Sequence, residues 1–209
     1  MEEADWYFDV VSPFAYLQWK SRARLEGRLR LRPVPIVLGA LLGHWGQKGP
    51  AEIAPKRLHT YRMCQWRAAE LGVPFRFPPT HPFNPIAVLR LIVALDSRTE
   101  AVDAVFDAAF RDGRDISAIE VLEEIGQGLG VSDLAGLIGT PEVKQRLREN
   151  TDKAQNCGVF GVPTVVLSSE LFWGEDATGM LLGFLDNPDL FQSPEMQALE
   201  AIPVGAQRK

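Results

Sequence analysis

The sequence predicts an α/β protein in which a β-α-β opening and a β-β-α close build one sheet, with roughly half of the chain between them helical. Three observations predict it. An aromatic and β-branched segment, Asp5 to Val11, runs straight into Ser12-Pro13. A second segment, Arg28 to Ile36, alternates with period two after a helix-length spacing. Strand character then disappears until Thr164.

The elements follow in order. Ser12 supplies an N-cap and Pro13 a first helical residue, so a helix is expected from there to about Glu26, ended by Gly27. A strand, a helix of this length and a strand predict parallel pairing. The apolar run Val34 to Gly43, broken by Pro35 and Gly39, is half a membrane span at most and reads as a buried strand end and turn. From Ala51 to Asn156 the patterns are helical. Val102, Val105, Phe106, Ala109 and Phe110 form one stripe, and Ile116, Ile119, Leu122, Ile125 and Leu129 another. Ser132 is expected to cap a short helix, and Thr140-Pro141-Glu142 opens the next. Thr164 to Leu167 and Leu171 to Trp173 read as a hairpin across Ser168-Ser169-Glu170, and Asp176 as the cap of a last helix through Leu185. This is the order of a thioredoxin-like core interrupted by a large all-helical insertion. Residues 1–38 and 157–209 would form the discontinuous thioredoxin-like domain, and 39–156 the helical insertion domain.

Composition narrows the function. The balance of 22 basic against 27 acidic residues gives a net charge of -5, which argues against a nucleic-acid partner. In the densest basic stretch, Arg28, Arg30 and Arg32 alternate with leucines as a solvated strand face would. The acidic start differs from a basic signal-peptide opening, and no membrane partner is expected. Cys64 and Cys157 lie far apart with no CxxC or metal spacing, so the chain is read as cytoplasmic and both cysteines as buried structural residues. His44 and His59 lack partner spacing for a metal, and Trp6, Trp19 and Trp66 are read as packing.

Three segments carry the chemistry. Ser12-Pro13-Phe14-Ala15 stands where a thioredoxin-type oxidoreductase places CxxC, so this chain cannot exchange disulfides itself there. A hydroxyl, backbone N–H groups and a helix dipole remain, a site suited to another molecule's thiolate. Gly158 to Thr164 contains Val162-Pro163 at a strand entrance, where a cis bond would expose Val162 for pairing with an extended peptide. Gly174-Glu175-Asp176 places two carboxylates before a helix, fitted to an α-ammonium while the helix N–H groups hold a carboxylate. Taken singly, each has a plainer reading: Ser12 as a helix cap, Val162-Pro163 as a trans proline opening an edge strand, and Asp176 as a cap.

Phe8-Asp9-Val10-Val11-Ser12-Pro13-Phe14-Ala15-Tyr16, Phe160-Gly161-Val162-Pro163-Thr164 and Phe172-Trp173-Gly174-Glu175-Asp176 together resemble the 2-hydroxychromene-2-carboxylate isomerases and the kappa-class glutathione transferases. Gly49-Pro50-Ala51 with Lys56, Gly72-Val73-Pro74-Phe75, and Phe77-Pro78 with Asn84 extend the likeness along nearly the whole chain. The resemblance implies glutathione as cofactor and a homodimer. It gives Ser12 the stabilisation of the glutathione thiolate, Val162 and Pro163 its cysteinyl residue, Glu175 and Asp176 its γ-glutamyl end, and Gln47 and Lys56 its other parts. The isomerase reaction is reversible thiolate addition to a conjugated 2-oxo acid, with bond rotation between addition and departure. For an aromatic carboxylate substrate, Arg90, Arg62 and His81 are the candidate cations, Trp45, Phe14 and Phe83 the candidate wall, and Asn84 a substrate or Asx-loop residue.

The sequence also departs from the family pattern. Ala177 stands where an arginine usually follows the aspartate, Met63 stands near a usual acidic position, and His81-Pro82-Phe83-Asn84-Pro85 is proline-rich. Two further readings stay open: a kappa-like transferase that consumes glutathione by conjugation to small electrophiles, and a non-catalytic thioredoxin-fold protein that binds a peptide or partner at Val162.

Overall fold

The computed structural model describes residues 1–206. Four strands form one sheet in the order β2-β1-β3-β4: β1 Glu2–Phe8, β2 Leu29–Pro35, β3 Thr164–Leu167 and β4 Glu170–Trp173. β1 pairs in parallel with β2 from Glu2↔Leu29 to Phe8↔Pro35. On its other side it pairs antiparallel with β3, Tyr7 opposite Thr164. β3 and β4 form the hairpin, and Ser168 and Ser169 take φ of 50° and 72°, the left-handed pair that a two-residue turn of matching twist requires.

Helix α1 (Pro13–Lys20) is capped by Ser12, whose side chain accepts from the Ala15 N–H. It stops six residues short of the expected Glu26. Ser21 Oγ donates to the Leu17 carbonyl at 2.8 Å, and a 3₁₀ turn, Arg22–Leu25, carries the chain on and buries Leu25. The first strand likewise ends at Phe8, because Asp9 to Ser12 turn into the helix. The segment after β2 is a helix, α2 (Leu38–His44), where a turn was expected.

Helices α3 (Ala54–Leu71), α4 (Ile86–Ala94), α5 (Thr99–Phe106), α6 (Ile119–Gly128), α7 (Leu134–Gly139) and α8 (Pro141–Asn156) fill the middle, with no strand among them. The first predicted stripe is wholly buried, and α5 widens into a π turn at Asp107–Arg111 that keeps Ala109 and Phe110 on the same face. In the second stripe Ile119 is exposed, being the first residue of α6, while Leu122 and Ile125 point inward. Asp133 caps α7 in place of the expected Ser132, accepting from the Gly136 N–H. After β4, α9 (Thr178–Asp186) has Ala177 at its N-cap and no side-chain cap bond, so Asp176 is not its cap. A short α10 (Pro194–Gln197) follows.

The main core joins sheet and insertion. Trp6 stacks between Phe8 (4.5 Å) and Trp19 (4.8 Å) and meets Phe106 of α5 at 6.3 Å. Each such aromatic buries 150–250 Å², so this contact pins the helical block to β1. Two packing expectations fail. Trp66 is exposed, about half a turn round α3 from its inward residues Cys64 and Ala68. Cys157 is exposed at the α8 C-cap, beyond the last inward residue, Ala154, whereas Cys64 is buried and its thiol is pushed up to about 12 by desolvation. No helix among the described residues is long and apolar enough to cross a membrane.

Candidate functional site

The registers bring the three chemical segments to one end of the sheet. Tyr7↔Thr164 sets the exit of β1, leading to Ser12, beside Val162-Pro163, and Thr164↔Trp173 sets Gly174-Glu175-Asp176 next to both. The Val162-Pro163 peptide is cis. The Pro163 carbonyl accepts from the Gly174 N–H at 2.8 Å, and Thr164 Oγ1 donates back to the Gly161 carbonyl at 2.8 Å, which closes the turn. Gly161 lies under Trp173: a Cβ there would be 2.5 Å from the indole Nε1.

Ser12 is buried but for 7% of its surface. Its Oγ accepts from the Ala15 N–H at 3.3 Å, which leaves the hydroxyl proton free to be donated. Behind it lies Asp9, fully buried, whose two carboxylate oxygens accept from the N–H groups of Val11 (3.0 Å) and Leu38 (2.8 Å) and whose carbonyl accepts from the Ser12 N–H (3.0 Å). Burial pushes the Asp9 carboxyl up to about 7, against the pull of those backbone donors. Asp9 thus joins the start of α1 to the start of α2.

Gln18 is a second buried polar link. Its Oε1 accepts from Trp6 Nε1 at 2.7 Å, and its Nε2 donates to the Gly174 carbonyl (3.0 Å) and Thr178 Oγ1 (3.2 Å), tying α1 to the 174–178 turn. A glutamine six residues past Ser12, in a helix whose one charged residue is Lys20, was the visible signal for it. Arg67, on α3, is the third residue that sequence reasoning missed. Its Nε and Nη2 hold Glu175 at 2.6 and 3.0 Å, with Arg24 at 3.6 Å, and Glu175 is 2% exposed. Glu175 therefore faces inward and is neutralised by protein; no local pattern links positions 67 and 175. Of the two carboxylates expected to meet an ammonium, only Asp176 is exposed, folded back over Gly174, where a Cβ would lie 2.3 Å from Asp176 Oδ1.

The candidate substrate residues scatter. Phe83 is a core residue, and Phe14 is half-buried against the same core. His81 has both ring nitrogens engaged: Nε2 donates to the Val11 carbonyl at 2.7 Å, and Nδ1 lies 2.7 Å from the Tyr61 hydroxyl. With both nitrogens engaged, it serves as a strut for the Val11-Ser12 main chain, and burial lowers its pKa. Asn84 Oδ1 accepts from the Ile86 N–H at 3.1 Å, an Asx-type loop bond. Trp45 is exposed and donates from Nε1 to the Val159 carbonyl at 2.8 Å, next to the cis-proline turn. Gln47, Lys56 and Arg62 are exposed. Arg90 lines a cavity of which Ser12 is not a wall.

Several polar groups stay open at this end of the sheet. A serine proton without a partner sits at a helix start, and the Val162 N–H and C=O take part in no backbone hydrogen bond among the described residues. An exposed carboxylate, Asp176, stands at the far side.

A family model for the DsbA-like thioredoxin domain matches residues 3–186. A 2-hydroxychromene-2-carboxylate isomerase of Pseudomonas sp. (strain C18) is 30% identical over 185 residues, covering 85% of this chain and 87% of that protein. Glutathione S-transferase kappa 2 of Caenorhabditis elegans is 25% identical over 210 residues, covering 90% and 92%. A solved 2-hydroxychromene-2-carboxylate isomerase superposes with a TM-score of 0.79 at 25% identity, covering 91% of this chain and 99% of that one. The chain therefore belongs to the DsbA-like thioredoxin-domain family, on the branch that holds the 2-hydroxychromene-2-carboxylate isomerases and the kappa-class glutathione transferases.

Proposed function

We propose that this protein is a glutathione-dependent cis-trans isomerase of 2-hydroxychromene-2-carboxylate or a related 2-oxo acid from aromatic degradation. The observation that carries the reading is Ser12: a nearly buried hydroxyl at the start of α1, with its proton free, beside a cis-proline turn whose Val162 backbone is unpaired. Bound glutathione supplies a thiolate nucleophile that is regenerated at the end of the cycle. Ser12 donates to the sulfur and, with the positive end of α1, favours the charged form. Val162 orients the tripeptide as an added strand, and Asp176, Gln47 and Lys56 hold its ends. Glu175 acts through Arg67 by fixing the turn that presents Asp176.

The test is a calorimetric titration of glutathione into wild type and Ser12→Ala between pH 6 and 9. Binding with proton release in wild type, lost in Ser12→Ala, is expected. No binding heat, and a Tm unmoved by millimolar glutathione, would leave the peptide-binding reading in its place. A kappa-like transferase is the second reading, favoured by the nematode relative. A time course separates the two, because conjugation depletes free thiol and isomerisation leaves it constant.

A further inference from the structure

A cavity of about 240 Å³ opens between α2, α4 and α8. Its charged lining is Arg90, Lys144 and Arg148 against the single carboxylate of Asp152, an excess of positive charge on a chain whose formal net charge is -5. Elsewhere on α8 the cations are matched: Arg146 meets Asp96 at 2.9 Å and Lys153 meets Asp5 at 2.8 Å. The three that line the cavity have no carboxylate within ion-pair distance among the described residues. Arg90 goes further, because its Nε is sealed from solvent and has no hydrogen-bond partner. A buried guanidinium N–H without an acceptor is costly, and such groups are normally paired. The remaining wall includes Val37, Ile86 and Leu147, which are apolar.

We propose that this cavity is a binding site for a small carboxylic acid with an apolar or single-ring body. The carboxylate neutralises the positive lining of Arg90, Lys144 and Arg148, with guanidinium favoured over ammonium as its central partner. The apolar wall takes the ring. The volume lies below the ~300 Å³ at which sites for drug-sized ligands begin, which limits the ligand to about one ring. Thr151, also in the lining, accepts at Oγ1 from the Val37 N–H at 3.1 Å, and the next residue, Leu38, donates to Asp9. An occupied cavity therefore adjoins the main chain that supports the Ser12 turn. The site stands apart from the glutathione reading and survives its failure.

Benzoate is the probe, titrated into the full chain by calorimetry, with 4-fluorobenzoate followed by ¹⁹F NMR. Saturable binding is expected, with a dissociation constant raised at least tenfold in Arg90→Gln and in the exposed pair Lys144→Gln/Arg148→Gln. Benzamide, which keeps the ring without the charge, and acetate, which keeps the charge without the ring, should each bind at least tenfold more weakly. Ser12→Ala should bind benzoate as wild type does. No saturable binding, equal affinity for benzamide, affinity unmoved by the double variant, or loss of binding in Ser12→Ala would each overturn the proposal. The double variant alters two exposed side chains, so it carries the test even where Arg90→Gln lowers stability.

Discussion

At the scale of single residues, the site depends on buried charges that face the protein. Glu175 is 2% exposed, and Arg67 supplies a two-point clamp at 2.6 and 3.0 Å. Stranding a buried charge costs about 3–5 kcal/mol; because the Arg67 side chain is 28% exposed, roughly 2–3 kcal/mol is expected for Arg67→Met. Urea unfolding should show this loss, and adding Glu175→Gln should recover more than half of it. A double variant as unstable as the single one would show that Arg67 acts by packing alone. Asp9 makes a prediction in pH. Its folded-state pKa, pushed up to about 7 from an ordinary 3.8, means that the folded protein holds this proton more tightly than the unfolded chain. The stabilisation is fully present below about pH 4 and is lost as pH rises to about 7, by up to ~1.4 kcal/mol for each pH unit. The urea midpoint of wild type should therefore fall between pH 4 and 7 relative to Asp9→Asn, which cannot titrate. Parallel pH curves for the two proteins would place the titration elsewhere.

At the scale of elements, the turn before β3 and the end of β4 work as one unit through Gly161 and Trp173. Gly161→Ala puts a methyl group 2.5 Å from the indole Nε1, so the ring must move. Since Trp173 is 53% exposed, it can swing outward at little cost to the core. Glutathione affinity should drop at least tenfold with Tm nearly unchanged, and a red shift in tryptophan emission should report the displaced ring; unaltered binding would free this turn from any role in the site. What could be read from the sequence divides along the same line. The β-α-β opening and the hairpin rest on local signals, caps, prolines and alternation, whereas the convergence of Ser12, Val162-Pro163 and Gly174 to Asp176 followed from the thioredoxin-like order of those elements. Boundaries slipped where a local rival intervened. Ser21 bonding back to Leu17 shortened α1, and the Thr178 N–H and Oγ1, both donating to the Glu175 carbonyl at 3.1 and 2.6 Å, set the N-cap of α9 at Ala177, one residue past Asp176. Partners separated along the chain left no trace to read: Arg67 with Glu175, His81 with Val11, and the division of labour that sends Phe83 to the core and Arg90 to a different cavity.

At the scale of the whole molecule, the central strand is completed by two distant pieces of chain. β1 takes β2 on one side at once, but its other side waits for β3, with Tyr7 opposite Thr164. A chain ending at Asn156 keeps β1, β2 and the helices yet lacks the partner for that edge and the cover that Phe172 and Phe184 give it. Such a fragment should pellet on expression, and supplying residues 157–209 in trans should return part of it to the supernatant; a monomeric, cooperatively unfolding fragment would show that the insertion and β1-β2 suffice. The same arrangement shapes synthesis. At 5–20 residues per second, a ribosome needs on the order of ten seconds to travel from the end of β2 to the start of β3. For that interval the nascent chain carries an open strand edge, the side of β1 that β3 later pairs, while Trp6 and Phe8 find cover in Trp19 and Phe106 as α1 and α5 emerge. Codon choice across residues 36–163 therefore sets how long the edge stays open.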